Sequence, residues 1–168
     1  MRKKALAIVC AVLVIVPSVL YLCIPIQYKN DLELIKKARD EMPISEADTV
    51  EIKIAGKIED NDKCLIWFIS GNDYQSHYYL PLEFIVSKDK GYIFSRKYVP
   101  MRRGMDISVL NWNSGITFCV NNPRCNNVQI TAETEPMDIS INQYPYVSYY
   151  SKPVSSYAFF DEKGKEIR

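Results

Sequence analysis

The chain has 168 residues, of which 48% are hydrophobic and 24% are charged, and its formal net charge is +1. This length suits one folded domain with an anchor, and the apolar content excludes a disordered chain. The near-neutral charge argues against nucleic acid as a partner, because a nucleic-acid binder needs a basic face to displace counterions. The single histidine, His77, excludes any site that requires two imidazole groups.

The first predicted element is an apolar segment over residues 5–26, which contains no charged side chain. At about 1.5 Å per residue such a helix is about 33 Å long, close to the ~30 Å hydrocarbon core of a bilayer. We therefore predict an uncleaved transmembrane signal anchor over residues 5–26, with the lipid bilayer as its partner. Three alternatives remain open: a cleaved signal peptide, whose apolar part is usually shorter, a lipoprotein signal that ends at Cys23, and a helix buried in the core of the domain.

The charges that flank this segment predict its orientation. Arg2, Lys3 and Lys4 precede it, and basic residues next to a membrane helix favour the cytoplasmic side. Basic residues also follow the segment, but long domains cross the membrane largely regardless of their charge. We therefore expect residues 1–4 to form a cytoplasmic stub in a single-pass protein of the cell membrane, with its C-terminal domain outside.

A short helix is predicted directly after the anchor, within residues 27–43. Asn30 and Glu33 have the spacing of a capping box, and Pro43 marks the end of the helix. Apolar residues recur between these signals at helical spacing: Leu34, Ile35, Ala38 and Met42. The pattern predicts a juxtamembrane α-helix that packs on the domain or, alternatively, contacts a partner or the membrane surface.

Residues 44–168 change from a helical period to a period of two, which is typical of strands. The predicted strands are 49–54, 64–69, 74–79, 83–86, 92–94, 116–120, 128–131, 137–141, 157–160 and 165–167. Pro81 is predicted to separate two of them, because proline has no N–H to donate to a sheet ladder. Turn residues at short intervals predict an all-β domain, either an antiparallel sandwich or a small barrel.

Three cysteines follow the anchor: Cys64, Cys119 and Cys125. Cys119 and Cys125 flank a predicted turn, so they lie on facing strands at a separation that a disulfide could bridge and stabilise. The alternative is that both are free thiols. Cys64 lies within an apolar strand and is expected to pack as a small core residue.

His77, Cys119 and Arg124 supply a base, a cysteine nucleophile and a cation that can stabilise an oxyanion. An N-terminal anchor, an outward β domain and this order of residues resemble the sortase transpeptidases, whose signature shares a threonine and a cysteine with Thr117 and Cys119. The resemblance implies a cysteine-dependent transpeptidase of the cell envelope with His77, Cys119 and Arg124 as its catalytic residues. It is the alternative to a domain without catalytic residues.

Two segments are candidate binding surfaces because of their local composition. The first is a basic cluster of four residues: Arg96, Lys97, Arg102 and Arg103. Such a cluster can bind anionic lipid head groups or wall polymers, and the alternative is a solvated loop. The second is a group of three tyrosines that share one face of an extended chain: Tyr144, Tyr146 and Tyr150. Their rings suit a contact surface, and the alternative is packing in the core.

The motifs of several common enzyme classes are missing from the sequence. It contains no His-Glu-x-x-His, Cys-x-x-Cys, Gly-x-Ser-x-Gly or phosphate-binding loop, so we expect no metal, no cofactor and no catalysis. The functional prediction is a membrane-tethered extracytoplasmic β domain with a binding or structural role in the cell envelope, whose ligand is a protein, a peptide or an envelope polymer. The alternatives are the sortase-like enzyme and an accessory subunit of a membrane complex.

Overall fold

The computed structural model describes residues 25–44, 49–71, 77–103, 106–132 and 136–167, which form antiparallel β-sheets with one helix. The helix is α1 (Asp31–Glu41). The strands in chain order are β1 (Gln27–Tyr28), β2 (Ile52–Asp60), β3 (Lys63–Ser70), β4 (Tyr78–Val86), β5 (Tyr92–Lys97), β6 (Met101–Arg102), β7 (Ile107–Trp112), β8 (Gly115–Val120), β9 (Asn127–Thr131), β10 (Pro136–Ser140), β11 (Tyr146–Tyr150), β12 (Ser156–Phe160) and β13 (Glu166–Ile167). The all-β prediction for the domain is therefore confirmed.

The start of α1 follows the predicted capping pattern. The side chain of Asn30 accepts a hydrogen bond from the Glu33 N–H at 3.0 Å, and the Glu33 carboxylate accepts one from the Lys29 N–H at 2.7 Å. These bonds satisfy amide groups that have no acceptor within the helix. Leu34 and Ala38 are fully buried, so the helix packs on the domain, as the sequence predicts.

The helix covers one face of a five-stranded sheet with the order β1-β5-β4-β3-β2, called here the helix-side sheet. Alternate residues of its central strands face the helix, and they include Ile66, Phe68 and Leu82. The residues between them, including Trp67, face the opposite way and pack against a second sheet. The apolar run of β3 is continuous because this strand is buried on both faces.

One predicted boundary is wrong, since β4 continues through Pro81. Pro81 lies opposite Trp67 of β3, and its carbonyl accepts a hydrogen bond from the Tyr98 N–H at 3.0 Å. A proline lacks the N–H but keeps its carbonyl, so this residue still joins the ladder on one side. The uninterrupted strand carries Glu83 into the interior of the domain.

A second sheet, called the middle sheet, has the order β11-β8-β7-β6, and a third, called the outer sheet, has the order β10-β9-β12-β13. Leu110, Trp112 and Cys119 pack between the helix-side and middle sheets. The core between the middle and outer sheets contains Ile107, Val109, Ile116, Phe118, Val120, Cys125, Val128, Ile130, Ile141 and Phe159. The domain therefore stacks three sheets, one more than the predicted sandwich, because β7 and β8 are apolar on both faces.

The predicted anchor lies outside the described residues, except for Pro25 and Ile26, which precede β1. Residues 1–4, predicted to be a cytoplasmic stub, also lie outside them. In the described part of the chain, no helix has both the length and the apolar character needed to cross a bilayer. The anchor and its orientation therefore stay predictions from the sequence.

Candidate functional site

Cys119, the candidate nucleophile, lies in β8 with no exposed surface. Its side chain packs between the helix-side and middle sheets beside Trp67 and Tyr79. Burial raises the pKa of the Cys119 thiol far above its usual value, because a thiolate loses its hydration there. A cysteine nucleophile needs both a thiolate and access to substrate, and this thiol has neither in the structure.

His77 and Arg124, the other two candidate catalytic residues, contact different parts of the domain. The Nδ1 atom of His77 lies 2.9 Å from the carbonyl oxygen of Ser70, and its ring meets the edge of Tyr79 at 6.3 Å between centroids. Arg124 lies in the turn after β8 and lines a surface cleft with Asp161. None of the hydrogen bonds found among the described residues joins His77, Cys119 and Arg124 to one another.

The predicted disulfide between Cys119 and Cys125 is not formed, and both residues are buried free thiols. Cys119 packs in the core on the helix side of the middle sheet, whereas Cys125 packs in the core on its outer side. The Cys125 thiol instead lies 3.6 Å from the carbonyl oxygen of Asn127. Two side chains on opposite faces of a sheet cannot reach each other, although their positions in sequence flank one turn.

The period of two holds for Tyr146 and Tyr150, which lie on β11, whereas Tyr144 lies in a bend before the strand. Tyr144, Tyr146 and Tyr150 are half-buried and pack against the core between the middle and outer sheets. The hydroxyl of Tyr144 donates to the carbonyl oxygen of Cys125 at 2.6 Å. Tyr149 points to the other face of β11 and packs in the core between the helix-side and middle sheets. The structure thus places these rings largely in the core, which was the stated alternative to a contact surface.

The predicted basic cluster divides into two pairs in the structure. Arg96 and Lys97, on β5, each contact a carboxylate: Arg96 Nε lies 3.2 Å from Glu83, and Lys97 Nζ lies 3.2 Å from Glu41. Arg102 and Arg103 lie at β6 and directly after it, on the edge of the middle sheet. The first pair therefore belongs to the helix-side sheet, and the second pair belongs to a different surface.

Glu83 occupies a site that the sequence did not reveal, and its side chain is 1% exposed. Its carboxylate accepts hydrogen bonds at 2.9 Å from Ser95 Oγ, Tyr98 Oη and Trp112 Nε1. Burial by itself raises the pKa of Glu83, but the hydrogen bonds from Trp112, Tyr98 and Ser95 outweigh burial and lower the pKa below its usual value. The carboxylate is ionised and fully surrounded by donors.

This carboxylate ties two sheets together. Glu83 and Ser95 belong to neighbouring strands of the helix-side sheet, whereas Trp112 belongs to the middle sheet. The pairing of β4 with β5 shifts by one residue between Glu83 and Phe84, and this bulge brings Ser95 to the carboxylate. Because its oxygens are occupied and shielded from solvent, we assign Glu83 a structural role. The sequence marks this site only by placing one acidic residue within an otherwise apolar strand.

Arg102 and Arg103 line a groove at the edge of the middle and outer sheets. One part of it is a cleft of about 530 Å³ between β6 and the strands β12 and β13. A second cleft of about 440 Å³ extends towards the turn between β7 and β8. The two clefts share Arg103, Ser156 and Tyr157, so they are adjacent. Together they are called the groove.

Arg103 is held at the centre of the groove by Tyr157. Its Nε donates to the Tyr157 hydroxyl at 3.0 Å, and its guanidinium carbon lies 5.7 Å from the centre of that ring. Arg102 donates from one terminal nitrogen to the carbonyl oxygen of His77 at 3.1 Å. Each guanidinium keeps further N–H groups that these contacts do not use. The Arg103–Tyr157 contact joins residues far apart in sequence, which is why the sequence did not predict it.

The groove differs from the rest of the domain in its charge balance. The ion pairs found among the described residues join Lys or Arg side chains to carboxylates on α1, on β4 or directly before β2. None of these ion pairs includes Arg102 or Arg103. The groove therefore carries two guanidinium groups outside these ion pairs, and Glu166 is a carboxylate in its lining.

Comparisons with known proteins assign no family to this chain. No protein-family model matches it, and neither a curated protein nor a solved structure matches it. Among the residues that the structure describes, no group of His, Cys, Asp or Glu side chains is arranged to hold a metal ion. The groove, with its two arginines, is accordingly the strongest candidate for a functional site.

Proposed function

We propose that this protein is a membrane-tethered extracytoplasmic domain that binds an anionic ligand in the groove without catalysing a reaction. The observation that carries the proposal is the pair Arg102 and Arg103, which line an open groove and lie outside the ion pairs found among the described residues. An exposed guanidinium binds carboxylate or phosphate groups through paired N–H donors. The contact with Tyr157 limits the movement of Arg103 and so lowers the entropy lost when a ligand binds.

The other groove residues also suit binding. Besides the arginines, the described lining contains amide groups from Asn111 and Asn113 and hydroxyl groups from Ser155 and Ser156. These groups donate and accept hydrogen bonds, and they orient a ligand without activating a nucleophile. The buried thiol of Cys119 lies in a different core and takes no part in the groove. A binding role therefore fits these side chains better than the sortase-like alternative.

The tether in this proposal comes from the apolar segment 5–26 and the basic residues before it. If that segment stays in the membrane with its basic flank in the cytoplasm, the domain lies outside the cell. A ligand in this setting is an acidic protein segment or an anionic polymer of the envelope. The anchor would keep the domain on the outer side of the membrane, where such a ligand is met.

The test uses the full chain in lipid nanodiscs and, separately, in protoplasts of cells that express it. The probe is fluorescein-labelled hexaglutamate, and its affinity is measured by fluorescence anisotropy at several salt concentrations. Arg103→Gln should weaken binding about tenfold or more, because a charge-assisted hydrogen bond contributes about 1.5–3 kcal/mol. Lys163→Gln removes an exposed cation outside the groove and should leave the affinity unchanged.

Two outcomes would overturn the proposal. Equal affinity of the wild-type chain and Arg103→Gln would show that the groove is not the binding site. The outward tether would be contradicted if the mature chain were recovered from the soluble fraction. It would also be contradicted if fluorescein-labelled hexaglutamate bound to lysed protoplasts but not to intact ones. The salt series provides an internal check, since binding to exposed arginines must weaken as ionic strength rises.

A further inference from the structure

The strand that lines the groove has an edge without a partner. β12 pairs with β9 along its whole length, from Ser156 to Phe160. On its other side β13 pairs only with Phe159 and Phe160. Ser156 and Tyr157 therefore have no strand partner on this side among the described residues. Backbone N–H and C=O groups alternate between the two sides of a strand, so this edge offers unused donors and acceptors.

The residues of this open edge line the same clefts as the arginines. Ser156 and Tyr157 line both clefts of the groove together with Arg103, and Tyr157 is the residue that holds the Arg103 guanidinium. The opposite wall includes β6, a two-residue edge strand of the middle sheet that carries Arg102. Backbone hydrogen-bonding groups and cationic side chains thus lie in the same groove. This combination suits a ligand that has both an extended backbone and a negative charge.

The open stretch of this edge is short. The wall of the groove runs along the chain from Pro153 to Phe159, but β12 begins only at Ser156 and Phe159 already pairs with β13. Ser156 and Tyr157 are therefore the residues left for pairing, about 7 Å of strand at about 3.3 Å per residue. A short linear segment can pair there while its other residues lie along the groove.

We propose that the groove binds an extended acidic peptide segment, which adds as a strand to the open edge of β12 and places a carboxylate on Arg103. This inference rests on the proposed function and specifies its ligand. Backbone hydrogen bonds to an exposed edge supply affinity in this mode, and pockets for alternate side chains supply specificity. Arg102 lies beside Arg103 and favours a second acidic residue in the same segment.

The experiment compares modified peptides on the full chain in nanodiscs. The parent probe is a labelled hexapeptide, Thr-Glu-Val-Glu-Val-Thr, with blocked ends. Two variants carry N-methyl groups on alternate residues, one set on the odd positions and the other on the even positions. A strand presents alternate amides to each side, so one methylated set blocks the edge that pairs with β12 and the other set does not. We expect one set to reduce the affinity at least tenfold and the other to change it less than threefold.

A third variant replaces both glutamates by glutamine and should bind at least tenfold more weakly than the parent peptide. Binding of the parent peptide to Arg103→Gln should fall by a similar factor. One of the two consecutive amides of Ser156 and Tyr157 points to the open edge, and its hydrogen exchange supplies an independent measurement, since a paired edge amide exchanges more slowly once the peptide is bound.

The outcomes separate this inference from the proposed function. If the parent peptide and hexaglutamate both need Arg103 but neither methylated set weakens binding, the added strand is wrong and the anionic groove stands. If inorganic polyphosphate binds in an Arg103-dependent way and the hexapeptide does not, the ligand is an anionic polymer and the peptide inference is wrong. If none of these probes depends on Arg103, both proposals fail.

Discussion

The Glu83 site and the groove place charged side chains in opposite settings. In the Glu83 site, a buried carboxylate is surrounded by Ser95, Tyr98, Trp112 and the guanidinium of Arg96. In the groove, exposed guanidinium groups face solvent and lie outside the ion pairs found in the described part of the chain. The first arrangement uses its charge within the fold, whereas the second leaves its charge for a ligand.

This difference shows why charge alone does not identify a binding site. Arg96 and Arg103 belong to the same basic cluster of the sequence, and both lie near a tyrosine ring, Arg96 near Tyr98 and Arg103 near Tyr157. Of the two, only Arg96 belongs to the ion pairs found among the described residues, through its contact with Glu83. A basic residue is available to a ligand when the fold supplies no carboxylate for it, and that property depends on contacts between distant segments.

The largest expected effect comes from removing the buried carboxylate. Glu83→Ala leaves the indole N–H of Trp112 and the hydroxyl of Tyr98 without their acceptor in the interior. We expect the free energy of unfolding to fall by about 3–5 kcal/mol, which is typical when one partner of a buried polar group is removed. Urea denaturation of the full chain in detergent micelles, followed by tryptophan fluorescence, measures the change.

The matched control is Glu162→Ala, which removes an exposed carboxylate and should change the free energy of unfolding by less than about 0.5 kcal/mol. A loss below about 1 kcal/mol in Glu83→Ala would contradict the structural role of this carboxylate. Hexaglutamate binding at a temperature where Glu83→Ala remains folded should match that of the wild-type chain, because Glu83 does not line the groove.

A smaller effect is expected from acid. The pKa of Glu83 is lower in the folded state than its ordinary value of 4.5, because the donors to the carboxylate outweigh its burial. The stability from this group is therefore fully present above about pH 5 and is lost as the pH falls through the folded-state pKa. We expect the difference in unfolding free energy between the wild-type chain and Glu83→Gln to shrink as the pH falls from 5 to 2.5, roughly the range of a carboxyl titration.

Urea titrations at several pH values measure this difference. The pKa of Glu41 is also lowered in the folded state, because its hydrogen bond from Lys37 outweighs its burial. It remains in both proteins and so cancels from the comparison. A difference that stays constant down to the lowest pH would show that the Glu83 carboxylate is not ionised in the folded protein.

The sequence predicts those features that depend on neighbouring residues. The N-cap of α1 depends on Asn30 and Glu33, and the shared face of Tyr146 and Tyr150 depends on the period of β11. Contacts between distant segments were not predictable in this way. Trp112 of the middle sheet reaches Glu83 of the helix-side sheet, and Tyr157 of the outer sheet reaches Arg103, which is 54 residues away in sequence. The disulfide prediction failed for the same reason, because the middle sheet separates Cys119 from Cys125.

The smallest expected effect tests how the groove positions its cation. Tyr157→Phe keeps the ring, which packs on the edge of Phe159, and removes only the hydroxyl that accepts the Arg103 Nε–H. Arg103 then samples more conformations before it binds, so hexaglutamate should bind about two- to tenfold more weakly, which corresponds to about 0.5–1.4 kcal/mol. The urea midpoint should stay unchanged, and anisotropy titrations measure the affinity.

Tyr144→Phe is the matched control for Tyr157→Phe, since it removes a hydroxyl that bonds to the Cys125 carbonyl outside the groove. Its affinity for hexaglutamate should equal that of the wild-type chain. Tighter binding by Tyr157→Phe would mean that the hydroxyl competes with the ligand for Arg103 instead of holding it in place. In that case the groove would be a site that opens on binding, and Arg103 would exchange its bond to Tyr157 for a bond to the ligand.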